Sequence, residues 1–81
     1  MDKSILEISE TIRFHRKKAK LTQFELAKLA GIGKTAVFDL EKGKSTVQLS
    51  TLLAVLLVLN IKIVLSSPLI NLFNRAKNEK S

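Results

Sequence analysis

The stretch LTQFELAKLAGIGKTAVFDLEKG, residues 21–43, constrains the fold more than any other part of the chain. It opens with Thr22 and, three positions later, Glu25, which is the capping-box pattern that begins a helix. Gly31 and Gly33 follow and leave room only for a tight turn before the next run of periodic apolar residues. The pattern predicts two short helices, and because the turn between them is so short, they must cross steeply.

Apolar spacing predicts two further helices around this pair. Ile5, Ile8, Ile12 and His15 are three or four positions apart and therefore lie on one face of a first helix, where His15 is expected to be packed and hydrogen-bonded. Residues 47–59 are apolar nearly all round, so a helix there has to be covered on most sides. The four predicted helices span about residues 4–19, 22–30, 33–42 and 47–59, and Gly43 closes the third.

A different pattern follows the apolar helix. Residues 61–65, IKIVL, are β-branched and partly alternating, which predicts a short strand whose unpaired edges need a second copy of the chain. Ser67 and Pro68 suit the start of a short closing helix that ends in a flexible basic tail. The expected fold is all-α, with four helices plus one short C-terminal strand. A domain over 4–66 is followed by the short helix and tail over 67–81.

Charge and residue usage limit the possible functions. Fourteen Lys and Arg against seven Asp and Glu leave a net charge of +7, which favours polyanions such as nucleic acid, although an anionic membrane surface would also fit. With no cysteine and one histidine, disulfides and conventional zinc sites are excluded, and no cofactor is expected. The sequence contains no nucleophile–base pair, useful carboxylate pair or phosphate-binding loop, so an enzyme is not expected.

The apolar segments of the sequence indicate where in the cell the protein is expected. The N-terminus carries acidic residues and no continuous apolar core of a secretory signal, so a cytoplasmic protein is expected. A membrane span over 49–65 is disfavoured, because about seventeen residues is the lower limit for a spanning helix and Asn60 and Lys62 interrupt the segment.

The helix pair at 21–43 has the layout that a reader of the DNA major groove requires. In such a unit the first residues of the second helix reach base edges, while the N-terminus of the first helix lies over a phosphate. Lys34 and Thr35 are therefore the candidates for base contacts, and Gln23 for the phosphate clamp. The alternatives are an ordinary solvated helix start and, for the first helix, a solvated basic face made of Arg13, Arg16, Lys17, Lys18 and Lys20.

The spaced residues LTQ-x-ELA-x-x-AG-I-x-K-x-x-V-x-x-LE-x-G resemble the lambda-repressor-like, Xre-type helix-turn-helix family over about residues 5–60. The wider string FHRKKAKLTQFELAKLAGIGKTAVFDLEKGK, followed by the apolar helix and NIKIVL, is similar to the HipB-like antitoxins. The resemblance implies a repressor that contacts double-stranded operator DNA, and an ion pair between Arg16 and Glu41. It further implies C-terminal strands that pair across a dimer and a HipA-like kinase toxin as partner.

Phe38 and Asp39 depart from the family pattern, because relatives often have small polar or basic residues at these positions. Phe38 is expected to contact a thymine methyl group and Asp39 to accept from cytosine N4. The residues expected to contact DNA are Gln23, Lys34, Thr35, Phe38, Asp39, Arg16, Lys42 and Lys44. The residues expected to form the homodimer interface are Leu56, Leu59, Ile61, Ile63 and Leu65.

Two other functions remain open at the level of sequence. A phage-type or general Xre-like regulator would bind an operator without any toxin partner. A protein-interaction adaptor would instead use the helix pair as scaffold and dock another protein through residues 69–73, LINLF. Steeply salt-dependent binding to a defined operator distinguishes a regulator from an adaptor.

Overall fold

Local sequence signals set the ends of the helices in the computed structural model, which describes residues 3–80. The helices are α1 (Lys3–Lys18), α2 (Gln23–Ala30), α3 (Lys34–Lys42), α4 (Leu49–Val58) and α5 (Ile70–Lys80). The first four agree with the predicted spans to within one or two residues at each end. The all-helical class and the order of these helices are therefore confirmed.

The predicted capping box at the start of α2 is present. The backbone N–H of Glu25 donates to the Thr22 hydroxyl at 3.0 Å, and the backbone N–H of Thr22 donates to the Glu25 carboxylate at 2.8 Å. Gly31 and Gly43 end α2 and α3 in the left-handed conformation, with φ of 72° and 78°. Glycine adopts that conformation without steric cost, so each helix ends where the sequence places its glycine.

The capping box makes the stability of α2 depend on pH. Hydrogen bonds from the backbone and side chain of Thr22 lower the pKa of Glu25. Because the folded pKa lies below the unfolded one, this contribution is complete above the unfolded pKa and is lost as pH falls through the folded pKa. The variant Glu25→Gln keeps an acceptor but does not titrate, so it is expected to lose less stability than the wild type between pH 7 and about pH 3. Thermal unfolding of both proteins at the two pH values measures the difference, and equal losses would contradict it.

The core lies where α1, α2, α3 and α4 meet. Among the described residues, the largest completely buried side chains come one from each of these helices, and they are Ile12, Leu26, Val37 and Val55. Ala27, Leu40 and Leu56 complete the cluster. Burial on all four helices fixes the position of α2 and α3 relative to the rest of the domain.

The buried face of α1 differs from the predicted one. Ser9 and Ile12 are buried, whereas Ile8 is 40% exposed and His15 is exposed. The small Ser9 donates its hydroxyl hydrogen to the carbonyl of Leu6 at 2.9 Å, so a polar residue is accommodated in the contact. The expected packing of His15 is therefore wrong, although its Nδ1 lies 2.7 Å from the carbonyl oxygen of Thr11.

The helix α4 ends before the apolar sequence does. Asn60 takes a left-handed conformation with φ of 58°, and the N–H of Ile61 donates to the carbonyl of Leu56 at 2.9 Å. Asn tolerates this conformation better than most residues, so it acts as the stop signal. Across residues 3–80, none of the helices combines the length and apolar character needed to cross a bilayer.

The C-terminal part of the described chain lacks the predicted strand and ends in a helix. Residues 61–67 form no strand, because a strand needs a neighbouring strand to bond with and the described part of this single chain offers none. The predicted closing helix is present as α5 and extends to Lys80, and the flexibility expected for the tail stays a prediction. Within 62–79, only Ile70 is even partly buried, so this whole segment lies on the surface.

Candidate nucleic-acid interface

The helix α3 has one face in the core and the opposite face in solvent. Val37 is completely buried and Leu40 is 6% exposed, so these two residues fix which side of α3 points inward. The residues on the outer side are Lys34, Thr35, Phe38 and Lys42, and all of them are exposed. Phe38 is four positions from Lys34, three from Thr35 and four from Lys42, so the four residues form a single stripe along the helix.

An ion pair ties α3 to α1. The Arg16 guanidinium donates from Nε to one carboxylate oxygen of Glu41 at 2.5 Å and from Nη2 to the other at 3.0 Å. The two side chains are only 11% and 5% exposed, and the hydrogen bond to Glu41 raises the pKa of Arg16. The predicted Arg16–Glu41 pair is confirmed as a bidentate contact, which fixes angle as well as distance.

The same cluster includes α2 and the turn before it. Arg16 donates from Nη1 to the carbonyl of Leu21 at 2.9 Å, and the Gln23 amide donates to Glu41 at 3.2 Å. All three guanidinium nitrogens of Arg16 are thus engaged within the chain. These bonds position the helices relative to one another, and the DNA contact expected for Arg16 stays a prediction. Gln23 is half-buried and held beside the start of α3.

The predicted contact residues share a concave surface. One shallow hollow is lined by Gln23, Lys34, Thr35, Phe38 and Asp39. An adjoining hollow is lined by Arg13, Arg16, Gln23, Phe38, Glu41 and Lys42. Gln23 and Phe38 belong to both, so the two hollows form one continuous surface along α3. Lys44 lies outside both hollows, with its Nζ 3.9 Å from Asp39 Oδ2.

The interpretation of the sequence missed two features, of which the second extends beyond this surface. Arg13 was one cation in a basic run, and only the packing of α1 against α3 brings it to the same hollow as Phe38 and Lys42. The second feature is a repeated F-x-x-x-K spacing, in which each phenylalanine is exposed and the lysine Nζ lies 5.2 to 5.9 Å from the ring centroid. The pairs are Phe14–Lys18, Phe24–Lys28, Phe38–Lys42 and Phe73–Lys77. The four-residue spacing is visible in the sequence and could have identified these pairs.

The residues predicted for the dimer interface have different degrees of exposure. Leu56 is 8% exposed and belongs to the core of the single chain, and Leu59 and Ile61 are partly buried against that core. Ile63 and Leu65 are 54% and 75% exposed. Only the last two thus offer extensive apolar surface to a second chain.

Comparison with known proteins identifies similar sequences and folds. Residues 12–65 match the family model described as Helix-turn-helix. An uncharacterized HTH-type transcriptional regulator from Sinorhizobium fredii (strain NBRC 101917 / NGR234) is 39% identical over 66 residues, which cover 82% of this chain and 87% of that protein.

Two solved structures share the fold. A chain in the structure of a HipA-HipB-O2-O3 complex superposes with a TM-score of 0.73 at 24% identity, covering 84% of this chain and 96% of its own. A chain described as MDT Protein gives the same values. The likeness extends beyond the helix pair, because the covered part includes most of the chain.

Proposed function

Since the chain belongs to the Xre-like helix-turn-helix family of DNA-binding transcription regulators, we propose that it is a repressor that binds a specific operator as a two-fold dimer. The observation that carries the proposal is the outer face of α3. Lys34 and Thr35 are exposed at its N-terminal end while Val37 fixes the other side in the core. That is how a recognition helix presents its first residues to base edges.

The proposal divides the polar residues by role. Lys34 and Thr35 read base edges in the major groove, where a lysine suits the acceptors of guanine. Arg13 and Lys42, which line the hollow beside them, contact phosphates and set the orientation of the helix on the duplex. Asp39 is paired with Lys44 at 3.9 Å, which reduces its repulsion of the DNA backbone.

The proposed dimer uses the surface that follows α4. Ile63, Val64 and Leu65 are between 54% and 86% exposed. Exposure of three consecutive apolar residues to water is unfavourable and is typical of a surface that binds another chain. Pairing of residues 61–65 with the same segment of a second copy would give the backbone of both segments its hydrogen-bond partners. Two copies would then present two recognition helices about 34 Å apart, one helical turn of DNA.

Selection from a random duplex library tests the proposal. The expected product is an inverted repeat with half-site centres about 10 base pairs apart, bound by two chains, with affinity that falls steeply as salt rises. The measurements are enrichment by sequencing and sedimentation of the complex. A library from which no sequence is enriched would contradict the proposal.

A matched pair of variants tests the dimer. Ile63→Lys places a charge in the proposed seam, whereas Leu29→Lys places one on α2, at a residue of similar exposure (54% and 63%). We expect the first variant to sediment as a monomer and to bind the full operator much more weakly, and the second to remain a dimer. If both variants behave like the wild type, residues 61–65 are not the interface.

The proposal extends to a protein partner, a HipA-like kinase toxin, with the repressor acting as antitoxin of its own operon. The fold shared with a chain of the HipA-HipB-O2-O3 complex supports this extension. The exposed Leu69, Leu72 and Phe73 also support it, since they leave apolar surface beyond the proposed dimer seam. Co-expression with the product of a neighbouring kinase-like gene should yield a stable complex. A regulator without a toxin partner would bind the operator but form no such complex.

A further inference from the structure

Phe38, the aromatic residue of α3, lies on the face that is proposed to contact base edges. Phe38 is 37% exposed and lies one helical turn after Lys34, on the same stripe. It lines both hollows of the candidate interface, which no other residue except Gln23 does among those described. The Lys42 Nζ lies 5.2 Å from the ring centroid, so the cation covers part of the ring and the remainder is available to a ligand.

The chemistry of the major groove limits what such a ring can recognise. In a duplex the faces of the bases are stacked, so a protein meets only their edges. The thymine C5-methyl group is the one large apolar group among those edges, and apart from small C–H groups such as cytosine C5–H, the others are hydrogen-bond donors or acceptors. A phenyl ring pressed against a donor or acceptor would leave it without water or partner, which is costly. Phe38 therefore favours a methyl group and disfavours the polar edges.

The neighbouring carboxylate, that of Asp39, is less suited than Phe38 to select the base at this position. Asp39 is held near Lys44 at 3.9 Å, and the side chain is 30% exposed. Its charge is already partly compensated within the chain, whereas the exposed part of the Phe38 ring has no apolar partner of comparable size on α3. We propose, on the basis of the proposed operator binding, that Phe38 selects a 5-methylpyrimidine at the base pair that faces it. This base is thymine or 5-methylcytosine.

Replacement of single thymines by deoxyuridine tests this requirement, because the exchange removes only the methyl group. In the selected operator, we expect one thymine per half-site whose replacement weakens wild-type binding about threefold to fivefold, the effect of one buried methyl group. Replacement in both half-sites should weaken it about tenfold or more. At the same position, cytosine should bind weakly and 5-methylcytosine should recover part of the lost affinity.

Two variants assign the effect to the ring. Phe38→Ala should bind the thymine and deoxyuridine duplexes equally, because the methyl group has lost its contact. Phe24→Ala is the matched control, since Phe24 is also exposed and paired with a lysine four positions on, but lies on α2. That variant should keep the full difference between the two duplexes. Circular dichroism of both variants verifies that they remain folded.

The outcomes separate this inference from the function on which it rests. An enriched operator at which no thymine responds to deoxyuridine would overturn the role of Phe38 and leave operator binding intact. A response that persists in Phe38→Ala would overturn it equally. A library from which no sequence is enriched would overturn the proposed function and this inference with it.

Discussion

Replacement of Glu41 by alanine is expected to destabilise the protein by about 3–5 kcal/mol. Glu41 accepts two hydrogen bonds from Arg16 and one from Gln23, and its side chain is 5% exposed. Its removal would leave the guanidinium of Arg16, whose side chain is only 11% exposed, as a charge without a counterion. A small domain has a total stability of about 5–15 kcal/mol, so this one substitution should remove a large share of it.

Urea unfolding followed by circular dichroism measures the effect, and a second ion pair supplies the control. Asp39 and Lys44 are 3.9 Å apart, and their side chains are 30% and 59% exposed. Because solvent screens such a pair, Asp39→Ala should cost less than about 1 kcal/mol. Glu41→Gln, which keeps an acceptor oxygen but not the charge, should fall between the two. Similar midpoints for Glu41→Ala and Asp39→Ala would show that burial of the Arg16–Glu41 pair contributes nothing to stability.

The double variant Lys34→Ala, Thr35→Ala is expected to lose discrimination between the operator and other DNA. Each lost base contact should cost about 1–3 kcal/mol of specific binding, so the pair should bring operator affinity close to that for unrelated DNA. Both side chains are exposed at the start of α3, so the melting temperature should change little. Footprinting and titration with operator and random duplexes measure the loss.

Two single variants serve as controls for the double variant. Lys42→Ala removes a proposed phosphate contact, so it should weaken binding to all sequences alike and reduce the slope of log affinity against log salt by about one. Lys28→Ala removes an exposed lysine of α2 that lies over Phe24 and outside the two hollows. It should leave base preference unchanged. A footprint of the double variant identical to that of the wild type would contradict the role of Lys34 and Thr35.

The sequence predicted the helix pair well because its signals are local. Thr22 and Glu25 are three residues apart, and each bonds to the backbone of the other, so the start of α2 needs no distant contact. Gly31 ends α2 for the same kind of reason, since its left-handed conformation depends on the residue itself. The exposure of Lys34 and Thr35 followed once the buried side of α3 was known.

The single chain differs from the sequence predictions where contacts with other helices or with a second chain decide the structure. The helical period allows neighbouring stripes of α1 to face inward, and the choice of Ser9 over Ile8 depends on how closely the other helices approach. Residues 61–65 have the composition of a strand, but a strand exists only when another strand pairs with it. No local pattern contains that partner.

Sequence alone determined the family resemblance from the long pattern at residues 21–43. It also determined the helix boundaries, the turn and the outward stripe of α3, since each of these depends on residues close together in the chain. Tertiary structure alone decided which further cations reach the candidate interface. The resemblance already implied that Arg16 pairs with Glu41, 25 positions away along the chain, but nothing in the sequence placed Arg13 in the hollow beside Phe38. Arg13 reaches this hollow because α1 packs against α3, and no local pattern contains a contact between two helices.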